Sequence, residues 1–108
     1  MNLQTVDARP CDATVIASQI GKWNIFAVSG GRMFAIKNID GDTVGLRLPI
    51  DGTRRVDVVL DWMDTYTVRR VRRVVRGANK GQDIVEAEQS DVYCDEVGET
   101  VYQLSCWK

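Results

Sequence analysis

Six basic side chains lie within residues 66–80, a segment that contains no acidic residue. They are Arg69, Arg70, Arg72, Arg73, Arg76 and Lys80. Residues 81–108 instead carry seven acids against a single base, Lys108. Clustered guanidinium groups are suited to holding phosphate, whereas a neighbouring acidic segment can neutralise them by ion pairing. Because the formal net charge of the 108 residues is only −1, the second half of the chain is polarised rather than basic overall.

The two interpretations of this basic segment differ in where its arginines point. A β-hairpin whose loop is centred on residues 79–80 would place Arg76 opposite Asp83 and Arg73 opposite Glu86, as a ladder of cross-strand ion pairs within the sheet. Such pairs contribute roughly 0.2–1 kcal/mol each. On this register the remaining arginines of the strand would face uncharged residues: Arg69, Arg70 and Arg72. Those three would then be available to an external anion, so both a sheet ladder and a binding face remain open.

Enzyme chemistry is poorly supported by the residue types present. The chain contains no histidine, which removes the commonest general base and excludes Ser/His/Asp and Cys/His nucleophiles. The carboxylate pairs Asp40/Asp42 and Asp61/Asp64 lie at a turn and at a strand end, where Asp is favoured for backbone reasons. Three cysteines without a CxxC pair do not make a zinc site. We therefore predict a non-enzymatic protein with no metal and no cofactor.

Length and composition predict one domain over residues 1–108. No apolar run approaches the roughly 20 residues that cross a bilayer, and no secretory signal is visible at the N-terminus. The odd number of cysteines favours unpaired thiols in a reducing compartment: Cys11, Cys94 and Cys106. If Cys94 and Cys106 both lie on a C-terminal helix, they are about 18 Å apart, which is too far for a disulfide.

Helix signals stand at both ends of the chain. Asp12 and Gly21 are typical caps for a helix over residues 13–20. A second helix is predicted to begin after Ser90 or Asp91, with one apolar face at helical spacing: Tyr93, Val97, Val101 and Leu104. Tyr93 and Trp62 are predicted to be core aromatics.

Strand patterns fill the region between these helices, at residues 23–29, 32–39, 43–50, 54–63, 65–76 and 83–90. Asp40 and Gly41 predict a type I′ hairpin turn, and Asp51 with Gly52 predicts the next turn. The valines of the basic segment recur every three residues, as in a helix, but its β-branched content favours a strand. The predicted fold class is α+β: a single domain with a mostly antiparallel sheet of about five strands, an N-terminal helix and a C-terminal helix.

Three short motifs resemble small proteins encoded by tailed bacteriophages, including those of actinobacteria. They are VIASQIGKWNIFAVSGG at residues 15–31, DTYTV at residues 64–68 and SDVYCDEV at residues 90–97. The resemblance implies a shared fold and a location in the host cytoplasm, and that group has no established activity. RRVRRVVR replaces a much less basic strand of the group, so a role of these arginines would be particular to this chain.

The leading hypothesis is a phage accessory protein that binds DNA or RNA through the basic hairpin by phosphate contact and counterion release. The candidate contact residues are Arg69, Arg70, Arg72, Arg73, Arg76 and Lys80, with Arg54 and Arg55 adjacent. The alternative is a small protein-binding module or inhibitor of a host protein, since a bipolar surface suits a complementary partner or homo-oligomerisation. A structural virion component is a third hypothesis. No membrane partner is predicted.

Overall fold

The computed structural model describes residues 11–61 and 65–106 and has an α+β architecture, as predicted. Two helices, five strands and a last helix follow one another along the chain: α1 (Ala13–Ile20), α2 (Lys22–Ser29), β1 (Phe34–Lys37), β2 (Thr43–Pro49), β3 (Arg54–Leu60), β4 (Tyr66–Arg73), β5 (Asp83–Val92) and α3 (Val97–Ser105). All neighbouring strands pair antiparallel in the order β1-β2-β3-β4-β5. The sheet is therefore a meander in which each strand pairs with the next one in sequence.

The three helices pack on one side of the sheet, which we call the helix face. Val56, Val58 and Val68 project from the central strands into this layer and are fully buried. They meet Ile16 and Ile20 of α1, because the i, i+4 spacing puts both isoleucines on one side of that helix. The sheet register therefore assigns alternate residues of β3 and β4 to the helix face, and the residues between them to the opposite face.

The first helix has the predicted bounds and caps. The Asp12 carboxylate accepts a hydrogen bond from the Thr14 amide at 2.8 Å. Gly21 has a φ of 94°, and its amide donates to the Ala17 carbonyl at 3.0 Å. That left-handed conformation ends α1 and turns the chain directly into α2, which is why the two helices are separated by a single residue.

The strand predicted at residues 23–29 is wrong, because this segment is the helix α2. Its aromatic and β-branched composition favours a strand locally, but Ile25 and Val28 are three residues apart and both are buried. Only a helix places both side chains on one inner side while exposing Trp23 and Phe26. Packing therefore overrode local propensity here.

The turns were predicted in position, and one differs in type. Asp40 does not have the positive φ that a type I′ turn requires, whereas Gly41 does, at 85°. The Asn38 side-chain oxygen accepts from the amides of Asp40 and Asp42, which makes a three-residue loop instead. The turn at Asp51 and Gly52 is confirmed.

The last helix begins at Val97, later than predicted, because Ser90 and Asp91 still belong to β5. Tyr93 follows that strand and is exposed, so its assignment to the core is wrong. Cys94 precedes the helix and Cys106 ends it, which corrects the placement of both cysteines on one helix. Val97 and Val101 are buried as predicted, and Leu104 packs against the core. Trp62 and Asp64 lie outside the described residues.

Gly98 marks a close approach between α3 and the end of α1. A Cβ at this position would overlap the Ile20 carbonyl oxygen and would lie 2.7 Å from the Asn24 side-chain nitrogen. Glycine therefore lets the first turn of α3 contact α1 directly. Within residues 11–61 and 65–106, no helix is both long and apolar enough to cross a membrane.

Candidate nucleic-acid interface

The basic strand forms a hairpin with β5, but its register differs from the predicted one. Arg73 lies opposite Asp83, where Arg76 was expected, and the Val74 amide donates to the Gln82 carbonyl at 2.9 Å. The chain therefore reverses around residue 78, rather than between residues 79 and 80. The predicted pairs Arg76–Asp83 and Arg73–Glu86 are consequently wrong.

A register shift between Arg70 and Val71 places an extra residue, Glu86, on the helix face of β5. The Glu86 carboxylate forms ion pairs with three arginines there. The distances to its oxygens are 3.0 Å from Nε of Arg70 and 3.3 Å from Nε of both Arg54 and Arg72. We call these four residues the Glu86 cluster. Burial alone would raise the pKa of Glu86, but the hydrogen bond from Arg70 and the charge of Arg54 outweigh it and hold that pKa below its usual value.

Arg70 also connects the sheet to the last helix. Its Nη1 donates to the carbonyl oxygens of Leu104 at 3.0 Å and Ser105 at 2.7 Å. These carbonyls belong to the last turn of α3, where helical partners are lacking and the helix dipole is negative. Arg70 is thus a structural residue that caps α3 and holds Glu86 at the same time.

The opposite side of the sheet, which we call the ion-pair face, carries a second chain of charges. Asp57 is fully buried and accepts from Arg47 at 2.9 Å and from Arg55 at 3.1 Å. Arg55 also donates to Asp83 at 3.0 Å, and Arg73 approaches Asp83 at 3.6 Å. Each carboxylate is shared by two arginines, which compensates the cost of burying it.

The pKa shifts of Arg55 and Asp83 agree with the geometry of the ion-pair face. Burial alone would lower the pKa of Arg55, but its hydrogen bond to Asp83 and the charge of Asp57 raise it. Burial alone would raise the pKa of Asp83, but the hydrogen bond and charge of Arg55 lower it. Both residues are therefore held in their charged forms.

The three arginines predicted to have no acidic partner all have one. Arg69 forms an ion pair with Glu88 at 2.6 Å, while Arg70 and Arg72 belong to the Glu86 cluster. The physical reason is the chain reversal around residue 78, which moves the acids of β5 relative to the arginines of β4; the extra residue at position 86 then brings Glu88 opposite Arg69. Ladder pairing thus accounts for more of the basic strand than the sequence indicated.

Exposure divides the eight candidate residues into two groups. The side chains of Arg55, Arg69 and Arg70 are largely shielded by their ion pairs. Arg73 is 56% exposed, and Arg54 and Arg72 are each 37% exposed. Arg76 and Lys80 lie on the exposed hairpin loop, and neither has an ion pair with another described residue. Five of the eight predicted residues therefore remain accessible to a ligand.

The fold gathers positive charge at one end of the sheet. Residues 47–57 and 69–88, which we call the hairpin end, contain nine cations against five carboxylates. The other described residues contain three cations against eight carboxylates. The antiparallel register aligns the start of β3 with the end of β4 and the start of β5, so charges that are distant in sequence add up.

Comparison with known proteins identifies no relative of this chain. No family model matches the sequence, and no curated protein or solved structure matches it significantly.

Sequence reasoning missed two residues of this surface. Arg47 on β2 holds the buried Asp57 on the ion-pair face, and Phe34 on β1 lies directly opposite Arg47 in the register. Arg47 alternates with Leu46 and Leu48, both buried on the helix face, so the alternation did indicate the opposite side of the sheet. No local signal placed it beside the arginines of β3 and β4, because that proximity depends on strand order.

Proposed function

We propose that this chain is a non-enzymatic accessory protein of a tailed bacteriophage that binds nucleic acid through the hairpin end. The observation that carries the proposal is the charge imbalance there, nine cations against five carboxylates in a chain of net charge −1. Concentrated positive charge attracts the phosphate backbone and gains free energy from counterion release. The motifs at residues 15–31, 64–68 and 90–97 support the phage source.

The accessible cations are the proposed phosphate contacts: Arg54, Arg72, Arg73, Arg76 and Lys80. The shielded arginines have a different role, since Arg55, Arg69 and Arg70 fix the strands that carry those contacts. Three guanidinium groups share the single carboxylate of Glu86, so the Glu86 cluster keeps a positive charge even though every member is paired. Contacts of this kind position the nucleic acid and carry little sequence information.

The test is the double variant Arg76→Gln/Lys80→Gln. Neither side chain has an ion pair within the described residues, so we expect the thermal stability to stay unchanged. Dissociation constants for a fluorescent duplex, measured by anisotropy over a range of salt concentrations, should rise. The slope of log K against log salt should fall by roughly 0.9 for each lost phosphate contact.

The matched control is Lys22→Gln/Lys37→Gln, which removes the same charge from two exposed residues outside the hairpin end. We expect this control to keep the wild-type slope. Equal effects of the two double variants would show that only net charge matters and that the hairpin end is not the interface. A wild-type protein that gives no salt-sensitive binding to DNA or RNA at micromolar concentration would overturn the proposal.

A second candidate function, binding of a host or phage protein, is favoured by one separate observation. A groove of about 490 Å³ runs between α1 and α2, with a mainly apolar lining that includes Ala17, Ile25, Phe26 and Met33. Phe26 is 64% exposed and Trp23, on the same helix, is 81% exposed. Exposed aromatic side chains beside a groove are typical anchors of protein interfaces.

The two candidate functions use different residues, so variants separate them. Trp23→Ala/Phe26→Ala should leave nucleic-acid binding unchanged, because neither residue belongs to the hairpin end. If the variant lost a partner recovered from infected host cells while Arg76→Gln/Lys80→Gln kept it, the groove would be the functional surface. The reverse result would leave the hairpin end as the functional surface.

A further inference from the structure

A cleft of about 190 Å³ opens beside the turn between β2 and β3. It lies against the ion-pair face, with Phe34 of β1 at one wall and Pro49 of β2 next to it. Four arginines are among the remaining lining residues, and three of them carry their guanidinium groups on the ion-pair face: Arg47, Arg55 and Arg73, with Arg54 beside the adjoining turn. The volume is roughly six times the ~30 Å³ share of one water molecule, which is enough for a phosphate group.

Some guanidinium N–H groups in this cleft are not used in hydrogen bonds to the carboxylates of the described residues. Arg55 is occupied on both sides, by Asp57 and Asp83. Arg47 uses only its Nε and Nη2 on Asp57, so its Nη1 group remains a donor. The Nε of Arg73 lies 3.6 Å from Asp83, too far for a hydrogen bond, and the side chain is 56% exposed.

The one acid that lines the cleft is engaged in the turn itself. The Oδ1 of Asp51 accepts from the amides of Thr53 and Arg54, at 2.8 Å each. These two backbone hydrogen bonds are the main cause of a lowered pKa of Asp51. The cleft therefore has more positive than negative groups in its wall, with Asp51 fixed at its rim.

An aromatic ring stands beside these donors. Phe34 is 57% exposed on the edge strand, and its strand pairing places it directly opposite Arg47. Residues opposite each other on adjacent strands project to the same face, so the ring and the guanidinium group are neighbours. A ring next to a cation is the combination by which proteins stack an unpaired base and hold its phosphate.

We propose that this cleft binds one nucleotide of single-stranded nucleic acid, with the phosphate on Arg47 and Arg73 and the base stacked on Phe34. The inference rests on the proposed function and makes its ligand specific. A duplex cannot supply this contact, because its bases are already stacked on one another. The hairpin loop, with Arg76 and Lys80, would then hold the adjacent phosphates of the same strand.

The test compares a fluorescent thymidine oligonucleotide, which forms no duplex, with a duplex of equal length at the same salt concentration. We expect the wild-type protein to bind the single strand more tightly. Phe34→Ala should weaken single-strand binding by roughly 5- to 150-fold, from the energy of one base–aromatic stack. Duplex binding should stay unchanged, and Phe34→Trp should retain the single-strand affinity because it keeps a ring. Arg73→Gln should weaken single-strand binding with only a small loss of thermal stability, because Arg55 still holds Asp83 at 3.0 Å.

The outcomes distinguish this inference from the proposed function. Two results would overturn the nucleotide-binding role of the cleft: duplex binding as tight as single-strand binding, or an equal loss of both affinities in Phe34→Ala. Either result would leave the hairpin end as a general phosphate-binding surface. Phe34→Leu affinity equal to that of the wild type would also overturn it, since an aliphatic side chain cannot stack a base. A wild-type protein that binds neither probe would overturn both proposals together.

Discussion

Replacing Glu86 by glutamine should change stability and nucleic-acid binding in opposite directions. The substitution keeps the size of the side chain and removes the charge shared by Arg54, Arg70 and Arg72. Glu86 is 17% exposed, so its ion pairs are partly screened by solvent. We expect about 1.5–2 kcal/mol from the shielded pair with Arg70 and about 0.5 kcal/mol from each of the two more exposed pairs. The free energy of unfolding should therefore fall by about 2.5–3 kcal/mol.

The same substitution should strengthen binding at the hairpin end. Arg72 loses its carboxylate partner, Arg54 keeps only the more distant Asp51 at 3.7 Å, and both gain freedom to contact phosphate. One additional phosphate contact would steepen the slope of log K against log salt by roughly 0.9 on a duplex. Urea unfolding and fluorescence anisotropy measure the two effects on one preparation, and an unchanged m-value would show that the denatured state is comparable.

Glu88→Gln is the matched control, because it removes the same charge from a residue that is 44% exposed and that, within residues 11–61 and 65–106, pairs with Arg69 alone. We expect it to cost less than about 1 kcal/mol. A loss below about 0.5 kcal/mol in Glu86→Gln would refute the Glu86 cluster as a stabilising unit. A loss of stability without any change in binding would refute the idea that Arg54 and Arg72 reach phosphate.

The pH dependence gives a second check on the same residue. The folded-state pKa of Glu86 is lowered, so its contribution to stability is fully present above the unfolded carboxyl pKa of about 4.3. That contribution is lost as the pH falls through the lower folded pKa. The difference between the wild type and Glu86→Gln should therefore be constant near neutral pH and should shrink in acid. A difference that persists unchanged in acid would show that charge is not its cause.

Three further predictions address the fold. Gly98→Ala should destabilise by about 1–3 kcal/mol, because its Cβ would overlap the Ile20 carbonyl, although helix propensity alone favours alanine by about 1 kcal/mol. Gly52→Ala is its control, because a Cβ at that position would meet no atom within 4 Å, and it should be close to neutral in urea unfolding. A Gly98→Ala variant that is more stable than the wild type would contradict the contact between α1 and α3. Leu48→Ala should cost about 2–5 kcal/mol, since Leu48 is fully buried, and a loss below about 1 kcal/mol would contradict the register of β2. Thiol titration should find Cys94 and Cys106 reactive in the folded protein and the remaining thiol reactive after denaturation; fewer than three in total would reveal a disulfide.

The sequence alone was sufficient wherever a local interaction decides the structure. Asp12 and Gly21 cap α1 through groups within four residues, so their types predict both bounds of the helix. The β-branched residues of the basic strand likewise predicted β4, and the turn residues predicted where the chain reverses between β1 and β2 and between β2 and β3. The α+β class followed from these local signals.

Segments with competing signals were decided by packing. Residues 23–29 have the composition of a strand, yet they form α2 because Ile25 and Val28 must both meet the core. Tyr93 has the spacing of a core residue, yet it is exposed because β5 extends to Val92 before the chain turns. In both cases the free energy of burying side chains that are close only in three dimensions outweighs the local preference.

The candidate site shows the same division. The types and spacing of its arginines, and the polarity of the second half of the chain, are properties of the sequence. Which arginine meets which acid depends on the register of β4 and β5, and the position of the chain reversal, with the extra residue at Glu86, changed the predicted pairs. The neighbourhood of Phe34, Arg47 and Arg73 depends on the order of four strands, because side chains far apart in sequence become neighbours only when those strands pair. The sequence therefore determined how many charged side chains this protein has. The tertiary structure decided which of them form ion pairs within the sheet and which are exposed to a ligand.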